Sequence, residues 1–148
     1  MLLSSLAFVR PIPISSFPDI VQLRIIDAAG AGFPSPAQDW EDPTLDLMEL
    51  LRIDRAGSFV FRVSGDPMRD AGFHDRDVVI VDRDGMATKG SIVIAVVDGG
   101  FVIRQLEFRS AIPHLLARNS LMNVQAVIAD ENVEVWGVAR ASIRDITG

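Results

Sequence analysis

From Phe59 onward the apolar residues of this chain recur at every second position in short runs, and each run is cut by a turn-forming cluster. A helix needs a period near 3.6 sustained over ten or more residues, so this rhythm confines the chain to a compact, mostly β fold. Phe59, Phe61 and Val63 alternate with Val60, Arg62 and Ser64, and the apolar run Val78–Val81 is closed by Asp82-Arg83-Asp84-Gly85. Ile92–Val97 and Phe101–Phe108 flank Asp98-Gly99-Gly100. That is a strong hairpin signal, because an Asp-Gly pair readily takes the positive φ angles of a tight turn. Val124–Ile128 and Val133–Ala139 are expected to form a further pair around Asp130-Glu131-Asn132. Roughly seven strands are expected in all.

The part before this rhythm is different in kind. Six of the eight prolines fall at positions 11, 13, 18, 34, 36 and 43. Proline fixes φ and removes a backbone donor, so long helices and central strands are excluded there. Val21, Leu23 and Ile25 allow a short extended piece, and a short helix after Pro18 is the alternative. Residues 1–45 therefore read as a flexible arm, and residues 46–148 as the folded domain. Its one short helix begins at Asp46-Leu-Met-Glu49, where Asp46 can cap the first turn and Glu49 can answer it.

Several function classes drop out. The net charge of −6 and the absence of a basic run argue against direct nucleic-acid binding. There is no cysteine, which removes disulfides, thiolate nucleophiles and thiolate metal sites together. The apolar start, Met1–Val9, lacks the basic region and small-residue cleavage site of a signal peptide, and no apolar run approaches the ~20 residues of a membrane helix. A soluble, cytoplasmic chain is expected. His74 and His114 have no ligand spacing; Asp75/Asp77 and Asp82/Asp84 flank a strand end and a turn, where Asp serves local hydrogen bonds. Gly30-Ala31-Gly32 lacks the Gly-Lys and helix of a phosphate loop. No metal or cofactor is expected. Trp40 is read as docking the arm onto the domain, with contact to a partner as the alternative, and Trp136 as core.

One strand breaks its own pattern. Val102, Arg104, Leu106 and Phe108 share one face, so an arginine stands in the middle of the more apolar side. Either its stem snorkels to the surface, or the fold expects a buried cation at that place. Thirteen of the 14 basic residues are arginine, and Lys89 is the only lysine.

A constellation of residues goes beyond generic β structure. Ser64-Gly65-Asp66-Pro67-Met68, then Asp70-Ala-Gly72 and Asp75-Arg-Asp77-Val-Val-Ile-Val-Asp82, resembles the nucleophile segment of the LexA/UmuD self-cleaving Ser-Lys peptidases. Gly90 to Leu106 looks like the strand pair that carries the family's lysine, Val135-Trp-Gly137-Val138 like its closing strand, and Ala31-Gly32 within AGFPSPA like its self-cleavage site. The similarity runs from about residue 17 to residue 140, and with no helix-turn-helix in front it fits the UmuD-like branch.

The departures fall on the chemistry. The resemblance places the family's serine nucleophile at Pro67 and its lysine base at Arg104. Proline has no hydroxyl, and a guanidinium with a pKa above roughly 12 cannot accept a proton at physiological pH. Ser64 is three residues too early and Lys89 fifteen residues before the required position. The resemblance therefore implies an inactive relative of a serine peptidase. It would be a homodimeric accessory subunit that binds a Y-family, UmuC-like translesion polymerase and RecA filaments in the SOS response, with an active homologue as a further partner. The alternatives are a peptidase that cuts itself or others through non-standard residues, and the dimerisation module of a phage or plasmid repressor. A buried Arg104 should pair with a carboxylate or reach solvent, and Asp66 and Asp70 are the candidates.

Overall fold

The computed structural model describes residues 46–147 in full and the backbone alone of residues 12–13, 22–24 and 44–45. In chain order the elements are β1 (Ile12–Pro13), β2 (Gln22–Arg24), β3 (Thr44–Asp46), α1 (Leu47–Leu50), β4 (Ser58–Arg62), β5 (Val78–Asp82), β6 (Ile92–Val97), β7 (Gly100–Arg109), β8 (Ile112–Leu116), β9 (Val127–Ile128) and β10 (Glu134–Ile143). Seven strands, β4 to β10, make the sheet of the domain, and β1 adds itself beside β4. The order is β1-β4-β5-β10-β6-β7-β8-β9, antiparallel throughout, while β2 and β3 form a separate two-stranded ribbon. The mostly β architecture is as the alternation requires, and Gln22–Arg24 is extended, not helical.

Local chemistry explains the boundaries. Asp46 ends β3 and caps α1, its Oδ1 accepting from the amides of Met48 at 2.9 Å and Glu49 at 3.4 Å. The β6–β7 hairpin turns on two residues, Asp98 (φ 50°) and Gly99 (φ 78°), because Val97 pairs with Gly100. The β7–β8 hairpin uses the same positive-φ geometry at Ser110 (52°) and Ala111 (65°), residues that do not advertise it.

One expected pairing is corrected. Asp130 does form a turn, accepting from Asn132 and Val133 through side chain and backbone, but the segments around it do not pair with each other. Instead β9 joins β8, and β10 inserts between β5 and β6. Insertion satisfies two strand edges at once, where a local hairpin would leave both β5 and β6 with open backbone groups. β10 meets both neighbours by bulging, with Trp136 the extra residue against β6 and Arg140 the extra residue against β5.

Both faces of β6 and β7 are covered. Phe61, Val63, Met68, Val79, Val81, Ile94 and Ile103 form one buried cluster; Val93, Ala95, Val102, Leu106 and Leu115 form the other. This is why β6 is a continuous apolar run and not an alternating one. Trp136 is half-buried at the edge of the first cluster, edge-on to Phe59, Phe61 and Phe101 at 5.1–5.7 Å, with the Arg83 guanidinium 4.5 Å from its centroid.

Candidate functional site

The segment after β4 is a loop shaped by its own polar groups. Gly65 has φ 80° and donates its amide to Asp75 Oδ1 at 2.6 Å; Asp66 Oδ1 accepts from the Asp75 amide at 3.0 Å. A single 3-10 turn, Arg69–Ala71, ends at Gly72 with φ 92°. Between them Met68 drops into the first core cluster with no exposed surface, and Pro67 is buried beside it. Ser64, by contrast, is exposed.

A second segment, residues 118–120, clamps this loop. The Arg118 amide donates to Pro67 O at 2.9 Å, the Asp70 amide donates to Arg118 O at 2.7 Å, Asn119 Nδ2 donates to Asp66 O at 2.7 Å, and the Ser120 amide donates to Asp70 Oδ2 at 2.7 Å. The Arg118 guanidinium then reaches β7, donating from Nε to Gln105 Oε1 and lying 3.6 Å from Glu107. Pro67 and the Arg104–Gln105 stretch are thus tied together through one residue. Arg118 carried no signal in the sequence, since its role depends on β8, an element hidden by Pro113 and by the inconspicuous Ser110-Ala111 turn.

Arg104 is only 4% exposed, so it does not snorkel. It sits between Val102 and Leu106, and its Nη1 donates to the carbonyl of Ile103 at 2.7 Å. Burial holds its pKa below the usual arginine value, yet the group remains a cation. The expected carboxylate partners are not its partners: Asp66 serves the Asp75 amide and lies 3.8 Å from Arg69, and Asp70 serves Ser120. Asp66 thus faces a backbone donor of its own loop, and Asp70 one of the clamping segment. Among the described residues no carboxylate lies within ion-pair distance of Arg104. What it faces is a cavity of about 180 Å³ walled by Val97, Val102, Leu115, Val124 and Val127, with Asp98 and Gln125 as the polar members.

The remaining expectations sort cleanly. Lys89 is exposed in the turn before β6. Asp82 Oδ1 accepts from the Asp84 amide at 2.9 Å, a local turn bond. Asp77 does more than expected. It has no exposed surface, accepts from the His74 amide, and takes Arg144 in a two-pronged pair at 2.8 and 2.9 Å. The Arg144 hydrogen bond, more than any other contact, holds the Asp77 carboxyl below its ordinary range. His114 Nδ1 lies 2.9 Å from Ile112 O. Among the described residues no three His, Cys, Asp or Glu gather as metal ligands, and no helix is long and apolar enough to cross a membrane. Ala31, Gly32, Gly30 and Trp40 lie outside the described residues.

An antiparallel β domain whose Gly-Asp-x-Met loop buries its methionine, tied to a strand that points a cation inward, has the form of a Ser-Lys self-processing peptidase domain. The family model described as Peptidase S24-like matches residues 24–140. The chain is 40% identical to Protein MucA of Salmonella typhimurium over 114 residues, covering 76% of this chain and 77% of that one. It is 35% identical to Protein SamA of the same species over 113 residues (76% and 78%), and 30% identical to LexA repressor 2 of Pseudomonas syringae pv. tomato over 132 residues (86% and 62%). The chain belongs to the peptidase S24-like, LexA/UmuD family.

Proposed function

We propose that this chain is a proteolytically inert, UmuD-like accessory subunit of SOS-induced translesion synthesis. It acts in the cytoplasm as a homodimer, by binding a Y-family, UmuC-like polymerase and RecA filaments. The inert half of the reading rests on the family resemblance, which puts Pro67 and Arg104 at the positions of the nucleophile and base. Pro67 has neither hydroxyl nor amide hydrogen, and Arg104 is a buried, permanently charged donor with no capacity to accept a proton. The likeness to Protein MucA and Protein SamA over three-quarters of the chain supports the accessory role.

Substrate quality and catalytic competence are separate properties, so the arm, residues 1–45, remains a substrate even though the domain cannot cut. Ala31–Gly32 is the bond that an active homologue would cleave in trans. The test is mass spectrometry of the full chain after incubation at high pH, with activated RecA filaments, and with an active homologue. A fragment beginning at Gly32 is expected in the third case only. The same fragment in either of the first two would overturn the inert reading.

A further inference from the structure

A guanidinium inside a protein is costly unless its charge is answered, and among the described residues Arg104 has one acceptor, its own neighbouring carbonyl. No buried side-chain nitrogen or oxygen lacks a partner among the described residues, so the remaining Arg104 nitrogens reach open space, and Arg104 lines the adjoining cavity. That space is about 180 Å³, somewhat larger than an apolar cavity of about 150 Å³ that takes up benzene. Five of its lining residues are aliphatic, and the charge it presents from within is positive. Asp98 belongs to the exposed hairpin turn, which puts its negative charge at the rim and selects against multiply charged anions.

We infer that the Arg104 cavity is a binding site for a carboxylate carried on a short aliphatic group. The carboxylate would take a charge-assisted bond from the free face of the guanidinium while its hydrocarbon fills the valine-lined space. The source is either a free aliphatic acid or the terminal residue of a peptide. Val124 and Gln125 also line an open groove of about 480 Å³ with Arg109 and Arg118, which offers a peptide an approach. The inference rests on the surroundings of Arg104 and stands whether or not the chain serves a polymerase.

The experiment follows the Arg104 Nε–H resonance of the ¹⁵N-labelled full-length protein during titration with 4-methylpentanoate and with N-acetyl-Ala-Leu as the free acid. The neutral amides of both compounds serve as controls. A saturable shift is expected with at least one acid, with a Kd on the order of 1 mM or below, and at least tenfold weaker response to its amide. Response to the free acid alone identifies the small-molecule source, and response to the peptide acid alone identifies the peptide source. Arg104→Met is expected to weaken the responding acid at least tenfold, read from the methyl resonances of Leu115; Arg104→Gln gives the same comparison if the methionine variant does not fold. No saturation by either acid, equal binding of acid and amide, or undiminished binding by a folded variant would overturn the inference.

Discussion

At the scale of single residues, the proposed inertness rests on two positions and the response to acid on one. On the proposed reading, Pro67→Ser would supply a hydroxyl at a buried position, but Arg104 would still be a fixed cation unable to accept its proton. The single variant is therefore expected to show no Gly32-starting fragment by mass spectrometry; Pro67→Ser with Arg104→Lys is the smallest change that can restore cutting. Efficient self-cleavage by the single variant would refute the account of the missing base. Asp77 is a group through which acid is expected to act on stability. Its folded-state pKa lies below the ordinary 3.8, so the Arg144 pair contributes stability that is complete above the unfolded value and is lost as pH falls through the folded one. Asp77→Asn is expected to lower Tm by roughly 5 °C or more at neutral pH, and the gap to the natural chain should narrow below about pH 4. A gap that stays constant down to pH 2 would show that the pair contributes nothing through its charge.

At the scale of elements, the sequence was legible wherever one strand and its turn carried their own signal. β4, β5, the Asp98-Gly99 hairpin and the capped helix at Asp46 follow directly from period, turn chemistry and capping. β8 did not, because Pro113 interrupts its pattern and the Ser110-Ala111 turn takes positive φ without glycine. The partners of β10 did not either, since nothing in residues 134–143 says which edges are vacant elsewhere. The same limit applied to the site. Alternation marked Arg104 as a misplaced cation and the family resemblance singled out Pro67, but the clamp through Arg118 and the cavity beside Arg104 exist only after non-local strands have met. Gly137 shows how tight that meeting is: a Cβ there would lie 2.7 Å from Val81 Cγ1 and 3.0 Å from Asp82 O. Backbone cannot yield as a flexible side chain can, so Gly137→Ala is expected to cost about 2–3 kcal/mol in urea unfolding. A loss under about 0.5 kcal/mol would mean that β5 and β10 separate easily.

At the scale of the whole molecule, the sheet ends in two-residue strands on both sides, β1 and β9, and Pro13 has no amide hydrogen to offer a neighbour. Edge pairing is therefore a weak basis for assembly. Exposed apolar side chains offer more: Phe108, Ile112 and Ile128 at the β7–β9 end, Ile143 at the end of the bulged strand and Ile146 beyond it. The proposed homodimer should appear in sedimentation at micromolar concentration, and a monomer alone at that concentration would remove it. The insertion of β10 between β5 and β6 has a consequence for how the chain comes into being. The strand that completes the middle of the sheet leaves the ribosome after every other described strand has been made. At about 5–20 residues per second, β6 waits roughly 2–7 s for β10 to emerge, with its partner edge and that of β5 unpaired. A nascent chain of this kind spends seconds as two half-sheets with sticky inner margins, and its exposure to misassembly and to chaperones is concentrated in that interval.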